Sequence, residues 1–532
     1  MQRDLDRLAN EPFDLLVIGG GITGACIARD AALRGLRVAL VEKNDFANAT
    51  SAHNSKLIHG GLRYLRNFEL GLVRESLLER RIWQRIAPHL VRPLPFLIPL
   101  YGGGWKARAT LSAGLTLYDL LSFDRGWQED PAQRLPGNRW LNAATALARE
   151  PIVEGPGFEG AFEYHDAQMY SPERLALECV LDAAANSAAV VNYVSAEKLL
   201  LRNGRVEGAT VSDGSASFDV HAAATVIAAG PWADIFLAQA LGRPSSHKLM
   251  RSKGIHLIVP AMTTSAALTV AAQGGHFFVL PWRGHALLGT TDTTFNGSPD
   301  MVGVGERDIA EFLAYINANL PSARLARADV EHFYAGLRPL VDDGSGDTYD
   351  ASRRAELIDH GKDDGVDGLF SAIGGKWTTS RHLAERAVDV ISAKLGRPVR
   401  PCSTATAKLP GAPAMHFESF VAQQQASAHI ARLYGVRLQE VLAQASDRPE
   451  LGQPLSPSGD IGAQVLFAVR EEMALTLEDV VMRRTGIGQL GNPGRAAIDR
   501  AATLMAADLG WEDGRTQREI ETVNANFRTV PA

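Results

Sequence analysis

The sequence predicts an α/β protein with a helical C-terminal domain, and three observations carry that expectation. An apolar run, a glycine-rich turn, a helical stretch and a second apolar run follow one another over residues 13–41. Apolar runs then alternate with helical stretches as far as Pro401, and beyond it helical patterns stand almost alone.

Taken in order, Phe13–Ile18 is short, mostly apolar and ends in glycines, as a buried strand does; Ile22–Arg34 has helical periodicity, and Arg37–Val41 reads as the next strand. Between the first two lies Gly19-Gly20-Gly21-Ile22-Thr23-Gly24, a GxGxxG turn, and Glu42 closes the second strand 18 residues after Gly24. Each residue type has a task there. Gly19 permits the tight turn, Gly21 lets the backbone approach a pyrophosphate, and Gly24 lets the helix pack close to the sheet. The helix N-terminus, Ile22 and Thr23, presents free N–H groups to phosphate, and Glu42 accepts from ribose hydroxyls. This is a Rossmann-type dinucleotide site, and its fingerprint serves NAD and FAD alike.

Further strands are expected at Val190–Val194, Arg205–Ser212, Ala224–Ala229, His256–Pro260, His276–Pro281 and Ala286–Thr290, many separated by Gly or Asp turns. The stretch Leu90–Phe123 combines prolines, Trp105, Lys106, Arg108 and many apolar residues. It reads either as an element lying on a membrane surface or as core of a substrate domain. After Pro401, helices are expected over Glu418–Tyr434, Leu477–Arg484 and Arg495–Leu509, the last ended by Gly510.

Composition narrows the function classes. With 532 residues, 46% hydrophobic and 21% charged, the chain has length for two or three packed units. A formal charge of −6 with mixed signs offers no general attraction for nucleic acid, so none is expected as a partner, and any anion site must be built locally. Cys26, Cys179 and Cys402 are far apart and lack metal-ligand spacing, so no disulfide framework and no metal site are expected, and a reducing cytoplasmic setting fits. No apolar run approaches the roughly 20 residues that span a bilayer.

Later segments decide between the cofactors. Asp45-Phe46-Ala47-Asn48-Ala49-Thr50-Ser51 and Ser55-Lys56-Leu57-Ile58-His59-Gly60-Gly61-Leu62-Arg63-Tyr64 resemble the second signature of the D-amino-acid-oxidase-like flavoproteins, specifically the FAD-dependent glycerol-3-phosphate dehydrogenases. The resemblance continues, in order, through Ala228-Ala229-Gly230-Pro231-Trp232-Ala233, Lys253-Gly254-Ile255-His256, Gly289-Thr290-Thr291-Asp292, Gly336-Leu337-Arg338-Pro339-Leu340 and Gly374-Gly375-Lys376-Trp377-Thr378-Thr379. It covers most of residues 13–390, while the C-terminal helices, with Arg483-Arg484-Thr485, resemble the family's terminal domain more loosely.

The resemblance implies noncovalent FAD in a domain assembled from residues 1–90, 170–240 and 335–400, a mixed-sheet substrate domain from 91–169 and 241–334, and a helical domain from 401–532. It places along the cofactor, beside the glycine turn and Glu42, the neighbouring Lys43 and the pair Thr50 and Ser51. Ser55, Lys56, Leu57, His59, Gly60 and Gly61 follow, then Val194, then Ala229, Gly230 and Trp232, and finally Gly375, Lys376, Thr378 and Thr379. Gly374-Gly375 precede a helix with apolar positions at Leu383, Ala387, Val390 and Ile391, whose N-terminus suits a flavin carbonyl that becomes electron-rich on reduction. Thr378 and Thr379 either bond flavin or substrate or cap that helix.

The substrate that the resemblance implies is glycerol 3-phosphate, oxidised at its secondary alcohol with hydride transfer to flavin N5. Arginine suits its phosphate through a bidentate fork. Arg63 and Arg338 fall in the matching motifs, Arg338 also near the developing ketone oxygen, and Tyr64 either covers the substrate or packs in the core. His256 leads as proton acceptor, because imidazole titrates near neutrality, with His59 and Lys376 as competitors. The electrons are expected to pass to a quinone, from a protein peripheral to the cytoplasmic membrane, and a homodimer is left open. An oxidase using molecular oxygen, on glycerol 3-phosphate or on an amine or amino acid, is the enzymatic alternative; a flavin-containing assembly protein that binds RNA is disfavoured by the acidic balance.

Overall fold

The computed structural model describes residues 1–244, 246–272, 275–341, 354–424 and 427–531. Among them, two large sheets organise the chain. The main path of the first runs Glu356–Asp359, Leu369–Ile373, Ser217–Ile227, Phe13–Ile18, Val38–Val41, Ala189–Val191. Phe13–Ile18 is central, parallel to Ser217–Ile227 on one side and to Val38–Val41 on the other. Every residue of it is buried, Asp14 included, which is why it reads as a mostly apolar run rather than an alternating one. Helix Ile22–Leu33 packs against helices Pro172–Ala185 and Ser380–Leu395. Its Ala25, Cys26, Ala28 and Ala31 are small enough to keep that approach close.

The second sheet follows the path Thr293–Thr294, Leu249–Pro260, His285–Gly289, Gly275–Trp282, Ala267–Ala272, Val91–Tyr101, Phe158–Met169, Leu57–Ile58. It is mixed: Ala267–Ala272 runs parallel to Val91–Tyr101, which is antiparallel to Phe158–Met169. Strand His332–Val341 pairs with the Leu249 strand without interruption, from Leu249 opposite Val341 to Ile258 opposite His332. The expected domain boundary between 334 and 335 therefore falls inside one strand.

The stretch Leu90–Phe123 is two things. Val91–Tyr101 is an interior strand with Phe96 and Leu97 buried, so this half is core. Gly104–Leu121 is a helix in which only Leu115 and Tyr118 are buried. The C-terminal part folds around its own core, including Leu433, Val465, Phe467 and Ile498. Its expected Glu418–Tyr434 helix is instead Phe417–Ala422 and Ala428–Tyr434, the second begun by Ser427, whose side chain accepts from the Ile430 N–H. Within Leu477–Arg484, residues Asp479–Arg484 form a π-helical turn.

Candidate active site

A cavity of about 1590 Å³ opens between the sheets, walled by Ile18 and Val41 of the first and by Phe96, Tyr164, Phe278 and Tyr334 of the second. That exceeds the roughly 300–1,000 Å³ of an ordinary small-molecule pocket and suits a dinucleotide with a second small ligand.

At one end the glycine turn forms a cradle. Gly19 has φ of +114°, and a Cβ there would lie 2.7 Å from the Ala228 carbonyl oxygen. A Cβ on Gly24 would lie 1.9 Å from the Gly19 carbonyl oxygen, so the helix approaches the strand as closely as backbone permits. Gly21, Ile22 and Thr23 line the cavity, and Ser51 Oγ accepts from the Ile22 N–H at 2.9 Å. Glu42 also lines it, its carboxylate fixed by the N–H groups of Gly20 at 2.6 Å and Asn44 at 2.8 Å. Desolvation raises the Glu42 pKa against those bonds.

Around this end stand Lys43, Val194, Ala229, Gly230 and Trp232. Thr50 joins them, its hydroxyl donating to the Leu337 carbonyl at 2.6 Å and tying the loop to the second sheet. The backbone cradle at the glycines and the oriented carboxylate fit the pyrophosphate and adenosine of FAD.

The other end gathers cations. Lys376 Nζ sits 4.0 Å from the Tyr64 ring centroid and the Arg63 guanidinium carbon 4.9 Å from the same centroid. Lys376 also donates to Ser76 Oγ at 2.9 Å. Burial lowers its pKa to about 7, and Arg63 pushes the same way against Glu75. Desolvation, then the Lys376 and Arg63 charges, lower His59 to about 3, and desolvation with Arg63 and Arg66 lowers His276 to about 4, so both rings are neutral near pH 7. Arg338 is held from the other side. Its guanidinium donates to Ser252 Oγ at 2.9 Å and Thr290 Oγ1 at 2.8 Å while still facing the cavity.

Beneath the His59–Gly61 turn, the Gly60 N–H donates to the Tyr118 hydroxyl and to Asp166, and a Cβ on Gly60 would meet that hydroxyl at 2.3 Å. Gly60 itself does not line the cavity. Ser55, Leu57, His59, Gly61, Gly375 and Thr378 do.

Besides Gly24 and Gly60, three expected site residues lie off the cavity. His256 is 2% exposed and behind the wall: its Nε2 is 2.9 Å from Ser55 Oγ, which lines the cavity, and its ring stacks on Tyr334 at 5.0 Å. Burial, with the Arg338 charge next, drives its pKa well below neutral. Lys56 is buried and turned away, bonding Glu173 at 2.7 Å and the Ala52 carbonyl at 2.7 Å, because a buried ammonium requires an anion. Thr379 is buried off the cavity and precedes helix Ser380–Leu395 without a side-chain cap, while Thr378 Oγ1 accepts from the His59 N–H at 3.2 Å. Neither threonine caps.

Other lining residues went unnamed by sequence reasoning. His276 and Phe278 share one strand face by period-two alternation, and Ala107, Thr110, Leu111 and Gly114 recur at helical spacing, so both signals were present. Segment 525–530 carries no such signal, although Ala525, Asn526, Arg528 and Val530 also line the cavity.

Comparison with known proteins gives the family. The FAD dependent oxidoreductase family matches residues 14–390, and the C-terminal domain of alpha-glycerophosphate oxidase matches residues 402–516. The glycerol-3-phosphate dehydrogenase of Synechocystis sp. is 38% identical over 98% of this chain and 97% of its own length. That of Mycobacterium leprae is 36% identical over 98% of this chain and 89% of its own. The crystal structure of the Bacillus halodurans glycerol-3-phosphate dehydrogenase, complexed with FAD, superposes with a TM-score of 0.77 at 28% identity, covering 98% of this chain and 95% of that one. The chain belongs to the FAD-dependent oxidoreductases, within the glycerol-3-phosphate dehydrogenase family.

Proposed function

We propose that the protein oxidises sn-glycerol 3-phosphate to dihydroxyacetone phosphate and passes the electrons to a quinone, working as a peripheral protein on the cytoplasmic face of the membrane. The observation that carries the substrate is the convergence of Arg63 and Lys376 on one aromatic ring, in the cavity that also holds the glycine cradle. Glycerol 3-phosphate carries its reacting hydroxyl and its phosphate on adjacent carbons, so a guanidinium and an amine gathered at one ring suit its two ends. Arg63 takes the phosphate through its fork. Neutral His59 and His276 add hydrogen-bonding capacity without more positive charge.

The proton acceptor in this reading is Lys376 rather than His256. Lys376 faces the cavity with a pKa near 7, and His256 reaches it only through the Ser55 hydroxyl. Arg338, immobilised by Ser252 and Thr290, is placed to stabilise the oxygen that becomes the ketone. When bound, FAD supplies the two-electron acceptor for the hydrogen leaving the carbinol carbon. The phosphate clamp fixes that carbon in place, and Lys376 receives the hydroxyl proton.

Anaerobic mixing of the purified flavoprotein with sn-glycerol 3-phosphate tests the reading. Rapid bleaching of the flavin's visible absorbance is expected with this substrate and none with glycine or D-amino acids. Bleaching by an amino acid alone would replace the proposal with an amine oxidase.

A further inference from the structure

Helix Asp513–Ala525 belongs to the C-terminal helical part, and the segment after it, with Phe527 still packed against that part's core, runs to the cofactor cavity, where Asn526, Arg528 and Val530 form wall. It is docked by specific contacts. The Val530 N–H donates to the Val304 carbonyl at 2.9 Å, and the Thr529 hydroxyl donates to Glu306. The Val530 side chain fills the space above Gly303, where an added Cβ would lie 2.4 Å from Val530 Cγ1. The Phe527 ring stands 5.7 Å from His332, itself a cavity residue.

What the segment holds is itself a wall. Pro299, Asp300 and Val302–Val304 line the cavity. Asp300 accepts from Lys43 Nζ at 2.9 Å and from Trp232 Nε1 at 2.9 Å, while Lys43 lies 4.2 Å over the Trp232 ring. Lys43 follows Glu42, the ribose-facing carboxylate, so loop 299–304 covers the adenosine side. The Asp300 side chain is 60% exposed, and a pair so wetted holds a loop weakly. Closure of this side then depends on the segment docked behind it.

We propose that segment 526–531 is part of the cofactor site: docked on loop 299–304, it closes the adenosine side of the cavity and sets how long FAD stays bound. Nothing in this depends on which alcohol is oxidised, and its test reads flavin release rather than turnover, so it stands or falls separately from the proposed substrate.

The test uses the flavin-loaded protein and the fluorescence gained as FAD leaves after dilution. Deleting 526–532 is expected to speed release about ten-fold or more. Because that deletion removes packing as well as the strap, the decisive variant locks the contact instead. A Cβ on Gly303 would be 3.3 Å from Val530 Cβ, close to disulfide spacing, so Gly303→Cys with Val530→Cys can be cross-linked. Oxidised, this variant is expected to release FAD about ten-fold more slowly than the same protein after reductant. Equal release rates in the cross-linked and reduced forms would overturn the proposal, as would failure of the two thiols to join under oxidant.

Discussion

Burial brings the Lys376 ammonium to about 7, so near neutrality it gains and loses its proton readily, whereas His256 is held neutral far below that range. The sign follows directly: the amine accepts the substrate proton only when deprotonated, so the rate of flavin reduction should rise as pH climbs through about 7 and level off above it. Stopped-flow reduction across that range should show the limb in the parent and in His256→Asn. In Lys376→Met the limb should vanish, with reduction slowed about 10²–10⁴-fold. A His256→Asn protein that loses the limb instead would return the role to the imidazole. For Arg63→Ala, loss of a desolvated phosphate partner should cost about 2–5 kcal/mol, read as a rise in KM for glycerol 3-phosphate. Residue types at the site were legible because motif runs carried them. Direction was not: Ser55 faces the cavity and the adjacent Lys56 faces Glu173, and the identity of that buried anion, distant in sequence, decides it. His256 failed as a cavity residue for a similar reason, since Ser55 comes from another segment to stand in front of it.

Among the elements, helix Gly104–Leu121 and the turn after it have one face on the cavity and another exposed. Ala107, Thr110, Leu111 and Gly114 line the cavity, while Trp105 is 75%, Leu120 67% and Phe123 59% exposed. Trp127, beside Phe123 at 5.6 Å, extends the apolar patch. Lys106 and Arg108 add positive charge at the N-terminal turns, the composition of an element seated in a lipid headgroup layer. No helix among the described residues is long and apolar enough to cross a membrane, so attachment through this element would be peripheral. Replacing Leu120, Phe123 and Trp127 together by Ser should abolish co-flotation with anionic liposomes and slow reduction of a membrane quinone. Flavin bleaching by glycerol 3-phosphate should persist, because none of the three lines the cavity. Full liposome binding by the triple variant would remove the element from the membrane reading. The sequence marked residues 90–123 as unusual but merged a core strand with this helix, since prolines and apolar residues suit both an interior β-ladder and a lipid-facing segment.

Across the whole molecule, the C-terminal helices are joined to the cofactor domain by buried charge. Asp45 accepts from Arg484 at 2.6 and 2.7 Å and from Arg483 at 2.7 Å, with both partners almost fully buried. Arg483 reaches on to Asn48 at 3.0 Å and Asp479 at 2.8 Å, and Asn48 lines the cavity. Helical periodicity could not expose this arrangement, because it assigns charged residues to the solvent side and here the counter-charge of Arg484 lies 439 residues away. Burial alone would raise the Asp45 pKa, but the two guanidinium groups override it and hold it at about 2. Its folded value is thus below the unfolded value near 3.9, so this contribution to stability is present above about pH 4 and is lost as pH falls toward 2. Removing the anion alone leaves the buried Arg484 without its carboxylate and Arg483 with only Asp479 and Glu478. Asp45→Asn should therefore cost about 3–5 kcal/mol and loosen both the C-terminal helices and the cofactor loop, read as a lower unfolding temperature and reduced flavin content. The triple exchange Asp45→Leu, Arg483→Leu, Arg484→Met, made together with Asp479→Asn because Asp479 is buried and loses its Arg483 partner, removes the buried charges together and should recover part of that loss, because desolvation of unpaired ions, rather than absence of the pair, is what destabilises Asp45→Asn. If the combined variant proves as unstable as the single one, the cluster acts through the shape and hydrogen bonds of its guanidinium groups, and charge compensation is the wrong account of how the two regions are held together.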